Sequence, residues 1–172
     1  LLPVDVVQRH RHQTERLCLR GLRRPAEMGA HLLDPARLTG IATTRHGHGV
    51  PTRRIRVVEA GHPVPDEAGL KAADDTLRLA AEASADDLLL VLLSGGGSAN
   101  WIAPVEGVSF AQKQQVNRAL LRSGAPIGEM NIVRKHLSRI KGGRLARAGQ
   151  RAEIVTLAIS EAAKTGKIVQ IG

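Results

Sequence analysis

From residue 37 onward the apolar positions fall into two alternating rhythms, and before it into neither. Residues 38–44 and 55–59 (IRVVE) have the short, β-branched character of strands, and the second is followed by the turn residues Gly61, Pro63 and Pro65. A helix is predicted to begin at Asp66. That aspartate suits an N-cap, Glu67 suits the positive first turn, and Leu70, Ala73, Leu77, Ala80 and Ala81 form an apolar stripe that ends near Ser84. The run Leu88 to Leu93 (LLLVLL), bounded by acidic residues and by serine and glycine, predicts a strand buried on both faces of a parallel sheet.

Three helical segments follow. Ser109 and Gln112 form a capping box for a helix reaching about Ser123, with Gly124 as its stop. Pro126 opens a second helix carrying Ile127, Met130, Val133, His136 and Leu137 to near Ser138, and residues 141–148 make a short third. Residues 153–159 (EIVTLAI) read as another core strand. Strands alternating with helices predict an open, mostly parallel α/β sheet with flanking helices. Residues 1–36 are read as an irregular basic segment, disordered or foreign to the domain, and 37–172 as the α/β domain. Arg-, His- and Leu-rich text without Lys is also what a GC-rich gene yields out of frame.

Composition narrows the function classes. At 172 residues, 42% of them hydrophobic, the chain can bury a core without staples. Cys18 is the single cysteine and no CxxC spacing exists, so a disulfide scaffold and a zinc module are disfavoured and a reducing cytoplasm is expected. The longest apolar run is far short of the roughly 20 residues of a membrane helix. Trp101 and Phe110 are the only aromatic side chains, so no base-stacking platform is available. The net charge of +9 invites a nucleic-acid partner. Its distribution argues against one, because residues 1–60 hold eleven Arg and no Lys while the remainder holds a mixed set.

Two constellations carry candidate chemistry. SGGGSAN at 94–100 directly follows the buried strand, where α/β sheets bind ligands. Ser94, Gly95, Gly96, Gly97 and Ser98 would bring backbone N–H groups and hydroxyls to a phosphate or a carboxylate, without the signature of a dinucleotide fold or a P-loop. The second comprises Glu129, Asn131, Arg134, Lys135, His136 and Ser138 on one helix, then Lys141, the Gly142-Gly143 pair and Arg144. Two cations flanking a glycine pair form a second anion-holding arrangement. His62 sits on the rigid turn before Asp66. His46 and His48 flank a glycine without the carboxylates or cysteines that a metal site would need.

At EAGHPVPDEAG (59–69), DLLLVLLSGGGS (87–98), LRSGAPIGE (121–129) and NIVRKHLSRIKGGRLA (131–146) the chain resembles the MOFRL-type glycerate 2-kinase family, whose members are often labelled hydroxypyruvate reductases. The resemblance covers about residues 40–160. It implies a Rossmann-like α/β domain, a cleft shared with a second domain, and phosphorylation of the 2-hydroxyl of D-glycerate with ATP and Mg2+. In that scheme residues 94–98 cradle phosphate or carboxylate, Arg134, Lys141 and Arg144 stabilise charge, and Glu129 and Asn131 orient substrate or metal-bound water. Lys135 and His62 contact substrate. No residue of this chain is identified as a metal ligand. The family's GxGKA-like turn is absent from residues 1–40, and its acidic SDVxGD-like continuation is absent after Ser160. The chain is therefore expected to be a truncated copy lacking part of the machinery. The partners expected are a small hydroxy acid and a nucleotide, without a membrane, together with self-association through exposed sheet edges. An NAD(P)H-dependent hydroxypyruvate reductase and a basic binding module are the alternatives.

Overall fold

The computed structural model describes residues 16–22, 38–93 and 100–158. The elements are β1 (Arg16–Leu22), β2 (Thr39–Arg45), β3 (Ile55–Ala60), α1 (Glu67–Ala81), β4 (Leu88–Leu93), α2 (Phe110–Arg122), α3 (Ile127–His136), α4 (Arg144–Ala148) and β5 (Glu153–Ala158). The strands form one sheet in the order β3-β2-β1-β4-β5. β2 pairs parallel with β3, and β4 with β5. β1 pairs antiparallel with both β2 and β4. Four strands thus share one direction, and a central strand opposes them. β1 falls where the sequence pattern predicts no element; two flanking strands, and not a local rhythm, define it.

β4 is where the sheet meets its largest core. Leu89 and Val91 point to the face that also holds Ala73, Ala80, Ala83, Trp101, Ala103 and Ile140. Leu88, Leu90 and Leu92 alternate to the other face and pack with Leu38 and Ile55. The second face is less completely covered, since Leu90 and Leu92 are only partly buried.

Helix α1 starts where its cap dictates. The Asp66 carboxylate accepts the Gly69 N–H at 3.0 Å, which satisfies one of the otherwise unpaired first-turn donors. Its buried face is Gly69, Ala72, Ala73, Thr76 and Ala80. This face is rotated from the predicted stripe, because Leu70 and Leu77 are only partly buried and Ala81 is exposed. Close approach explains the small residues. A Cβ on Gly69 would stand 2.8 Å from the backbone oxygen of Asn100, so anything larger than glycine would force the helix off the strand-to-helix segment beside it. Thr76 stays apolar in effect by donating its hydroxyl to the Ala72 carbonyl at 2.7 Å.

The other boundaries follow local chemistry. The capping box of α2 closes, with the Ser109 N–H donating to Gln112 Oε1 at 2.8 Å and the Gln112 N–H to Ser109 Oγ at 3.1 Å. Gly124, just beyond that helix, has φ of +69°, a conformation open to glycine. β5 departs from expectation. Its burial is slight, with Leu157 56% exposed, because among the described strands it lies at the sheet edge with β4 as its one neighbour.

Candidate anion-binding cleft

Among the described residues, a group of polar side chains converges between α2, α3 and the turn after β3. A cleft of about 330 Å³ is floored by Trp101 and Ile102, walled by Lys113 and Asn117 of α2 and by Asn131 and Arg134 of α3, and rimmed by His62, Ser138 and Lys141. Each wall has an identifiable tether. Trp101 donates its indole N–H to the buried Thr43 hydroxyl of β2 at 2.9 Å, which fixes the floor to the sheet. Gln114 of α2 donates to the Pro65 carbonyl at 2.9 Å and ties that helix to the rim. Arg139 donates from its backbone to the Ala103 carbonyl at 2.7 Å and from Nε to the Pro104 carbonyl at 2.8 Å, which seats the end of α3 on the floor segment.

Arg134 organises the polar lining. Its Nε donates to Asn117 Oδ1 at 2.9 Å and its Nη1 reaches Asn131 Oδ1 at 3.4 Å. Both amide oxygens are thereby used as acceptors, which leaves their N–H2 groups as donors for a further acceptor. Ser138, buried at the end of α3, accepts the Ile140 and Lys141 N–H groups at 3.3 and 3.2 Å and so shapes the turn that carries Lys141. Among the described residues no carboxylate lines the cleft.

Lys113 is the residue that sequence reasoning missed. It is 6% exposed, and its Nζ donates to the Arg134 carbonyl at 3.0 Å. Removal from water, and next the nearby Arg134 charge, push its ammonium down to about 8. A signal for it exists: Lys113, Val116, Asn117 and Leu120 recur at i, i+3, i+4 and i+7 and form the inward face of α2, with Lys113 at a core position.

Of the residues expected at a site, His62, Asn131, Arg134 and Lys141 come together here. Glu129 is exposed and does not line the cleft. Lys135 lies beside it, its side chain packed over Gly142, where an added Cβ would meet Lys135 Cβ at 3.6 Å. Arg144 turns its guanidinium to carbonyl oxygens at the end of α3, donating to Lys135 O at 2.7 Å and also to Ser138 O. The glycine pair before it is explained by backbone shape, since Gly142 and Gly143 have φ of +64° and +81°. Ser94, Gly95, Gly96, Gly97 and Ser98 lie outside the described residues. Next to them, Asn100 is fully buried, and neither of its side-chain amide atoms has a hydrogen-bond partner among the described residues.

A second polar cluster lies at the carboxyl ends of β2 and β3. His46 Nε2 is 2.8 Å from Asp66 Oδ2, and the Gly49 N–H donates to Glu59 Oε1 at 2.6 Å. The Gly49 and Gly47 N–H groups hold the Glu59 carboxyl below its usual range. For Asp66 partial burial acts upward but is outweighed by the Gly61 and Gly69 N–H groups and by His46, so its carboxyl too is lowered. Among the described residues no three His, Cys, Asp or Glu side chains are placed to hold a metal ion. No described helix is long and apolar enough to cross a membrane.

Comparison with known proteins places this arrangement in context. Residues 18–166 match the model of a domain of unknown function, DUF4147. A D-glycerate 2-kinase of Thermotoga maritima is 46% identical over 123 residues, 71% of this chain and 30% of that protein. A protein of Agrobacterium vitis that provisionally carries the name hydroxypyruvate reductase is 52% identical over 124 residues, 72% of this chain and 28% of its own. The crystal structure of a Thermotoga maritima glycerate kinase superposes with a TM-score of 0.66 at 45% identity, covering 70% of this chain and 30% of that one. The chain spans about a third or less of the length of these relatives.

Proposed function

The chain belongs to the DUF4147 family, and from that premise we propose that it supplies the substrate-holding wall of a glycerate 2-kinase, which transfers a phosphoryl group from ATP to the 2-hydroxyl of D-glycerate. The observation that carries this reading is the cleft itself: Lys113, Arg134 and Lys141, two asparagine amides and a serine converge with no carboxylate among them. Such a lining suits a small anion that also bears hydroxyl groups. The cations would hold its carboxylate, while the amides, Ser138 and His62 can exchange hydrogen bonds with its hydroxyls. The names of relatives from Thermotoga maritima and Pyrococcus horikoshii, both glycerate 2-kinases, support the same substrate.

Phosphoryl transfer asks mainly for positioning and for neutralisation of spread negative charge. This chain's residues fit the binding of an anionic group, and in this reading the glycine segment at 94–98 takes a nucleotide phosphate while the cleft takes the hydroxy acid. ATP, when bound, supplies the transferable phosphoryl group. Arg134, braced by Asn117 and Asn131, orients the acid, and Trp101 with Ile102 excludes water from beneath it. The described residues do not fit Mg2+, since no carboxylate reaches the cleft. In this reading any divalent ion is held by residues other than those described.

A coupled assay on the whole protein tests the proposal. ADP release that depends on D-glycerate is the expected result. NADH oxidation that depends on hydroxypyruvate, with no ADP formed, would replace the kinase by a reductase.

A further inference from the structure

Lys113 differs from the other cations of the cleft. It is the only buried residue of α2, although lysines ordinarily keep their charged ends in water. Its ammonium is pinned by the Arg134 carbonyl, and among the described residues that is the one hydrogen bond it donates. Two of its three donors are thus unmatched among the described residues and can serve a ligand. Among the described residues, the charged and titratable groups that share the cleft with it are Arg134 of α3, Lys141 of the following turn and His62 of the rim, and none of them is an acid. Beyond that carbonyl, a buried ammonium facing further cations gains most when something negative arrives.

We infer that Lys113 is the residue through which the cleft reads an anionic oxygen group of its ligand, a substrate-binding role that rests on the hydroxy-acid reading above. The group it recognises is a carboxylate or a phosphate. The direction of its titration supports the role. Burial and the Arg134 charge lower it to about 8, so that near and above that pH the empty cleft holds Lys113 partly neutral. An anion beside it favours the charged form, so binding takes up protons and weakens as pH rises beyond 8.

Titration calorimetry on the whole protein between pH 6.5 and 9.5, with D-glycerate, inorganic phosphate and neutral glycerol as probes, decides the matter. D-glycerate affinity of the wild type should fall towards tenfold per pH unit above about pH 8. Lys113→Met should lose about 10- to 100-fold in affinity. That variant should melt no lower than the wild type, because the buried charge is gone. Lys113→Arg should keep most of the affinity and lose the decline above pH 8, since arginine does not titrate there. Unchanged affinity in the methionine variant, or a wild-type pH profile in the arginine variant, overturns the inference and leaves the hydroxy-acid reading standing. Lys113-dependent binding of phosphate without binding of D-glycerate upholds the inference and removes that reading. Binding of neither anion to the folded wild type removes both.

Discussion

Helix α1 and the α2–α3 pair are built by different means. α1 buries five small residues against the sheet and has neighbours in the principal core. α2 buries only a lysine and α3 buries nothing, while Leu121, Ile127 and Ile132 stay exposed. Polar bonds hold the second pair in place: Lys113 to the Arg134 carbonyl, Arg134 to Asn117, and Gln114 to the Pro65 carbonyl. Apolar contact is indifferent to direction, whereas hydrogen bonds demand it. The fold therefore obtains its cohesion from one region and the geometry of its cleft from the other.

That division can be broken experimentally. Leu89→Ala removes the largest fully buried side chain among the described residues, so it should cost about 2–5 kcal/mol in urea denaturation. Anion affinity of the molecules that remain folded should be unchanged. Arg134→Gln should do the reverse. It should weaken anion binding by about 1.5–3 kcal/mol and lower stability by less, which calorimetry and denaturation performed together will separate. Equal losses in both measurements would show that the two regions are not energetically distinct.

The smallest effect concerns the cap that joins them. Asp66→Ala should cost about 1 kcal/mol of stability at neutral pH, read from the urea midpoint. Because the folded-state Asp66 carboxyl is lowered below its ordinary 3.8, its contribution is present above that value and disappears as pH falls through the folded-state value. Glu59 acts in the same direction. The gap between wild type and variant should therefore close as the urea midpoint is followed from pH 5 towards pH 2; a gap that stays constant would remove Asp66 from the acid response.

Much of the scaffold was readable because its signals are local. Asp66, the Ser109–Gln112 box and Gly124 act within four residues of themselves, and the run at 88–93 admits little but a strand. The cleft was readable in part. Asn131, Arg134 and Lys141 stand out as a polar cluster, whereas Lys113, set between two glutamines, reads as solvated until α3 crosses it. Arg144 shows the opposite case. A cation beside two glycines suggests a ligand, yet the turn brings peptide oxygens within its reach. β1 had no local signature, because partners distant in sequence define it.

The position of β1 bears on how the molecule assembles. Among the described strands, the β2–β3 and β4–β5 pairs meet only through it. Arg16 lies opposite Thr43 on one side and opposite Leu93 on the other, so completing the second ladder closes a loop of more than seventy residues. Pairings of such separation lose chain entropy before they return contact energy, and they slow the search for the native state. The join between the two halves of the sheet should be the slow event in refolding, and until it forms the apolar row of β4 is open to other chains.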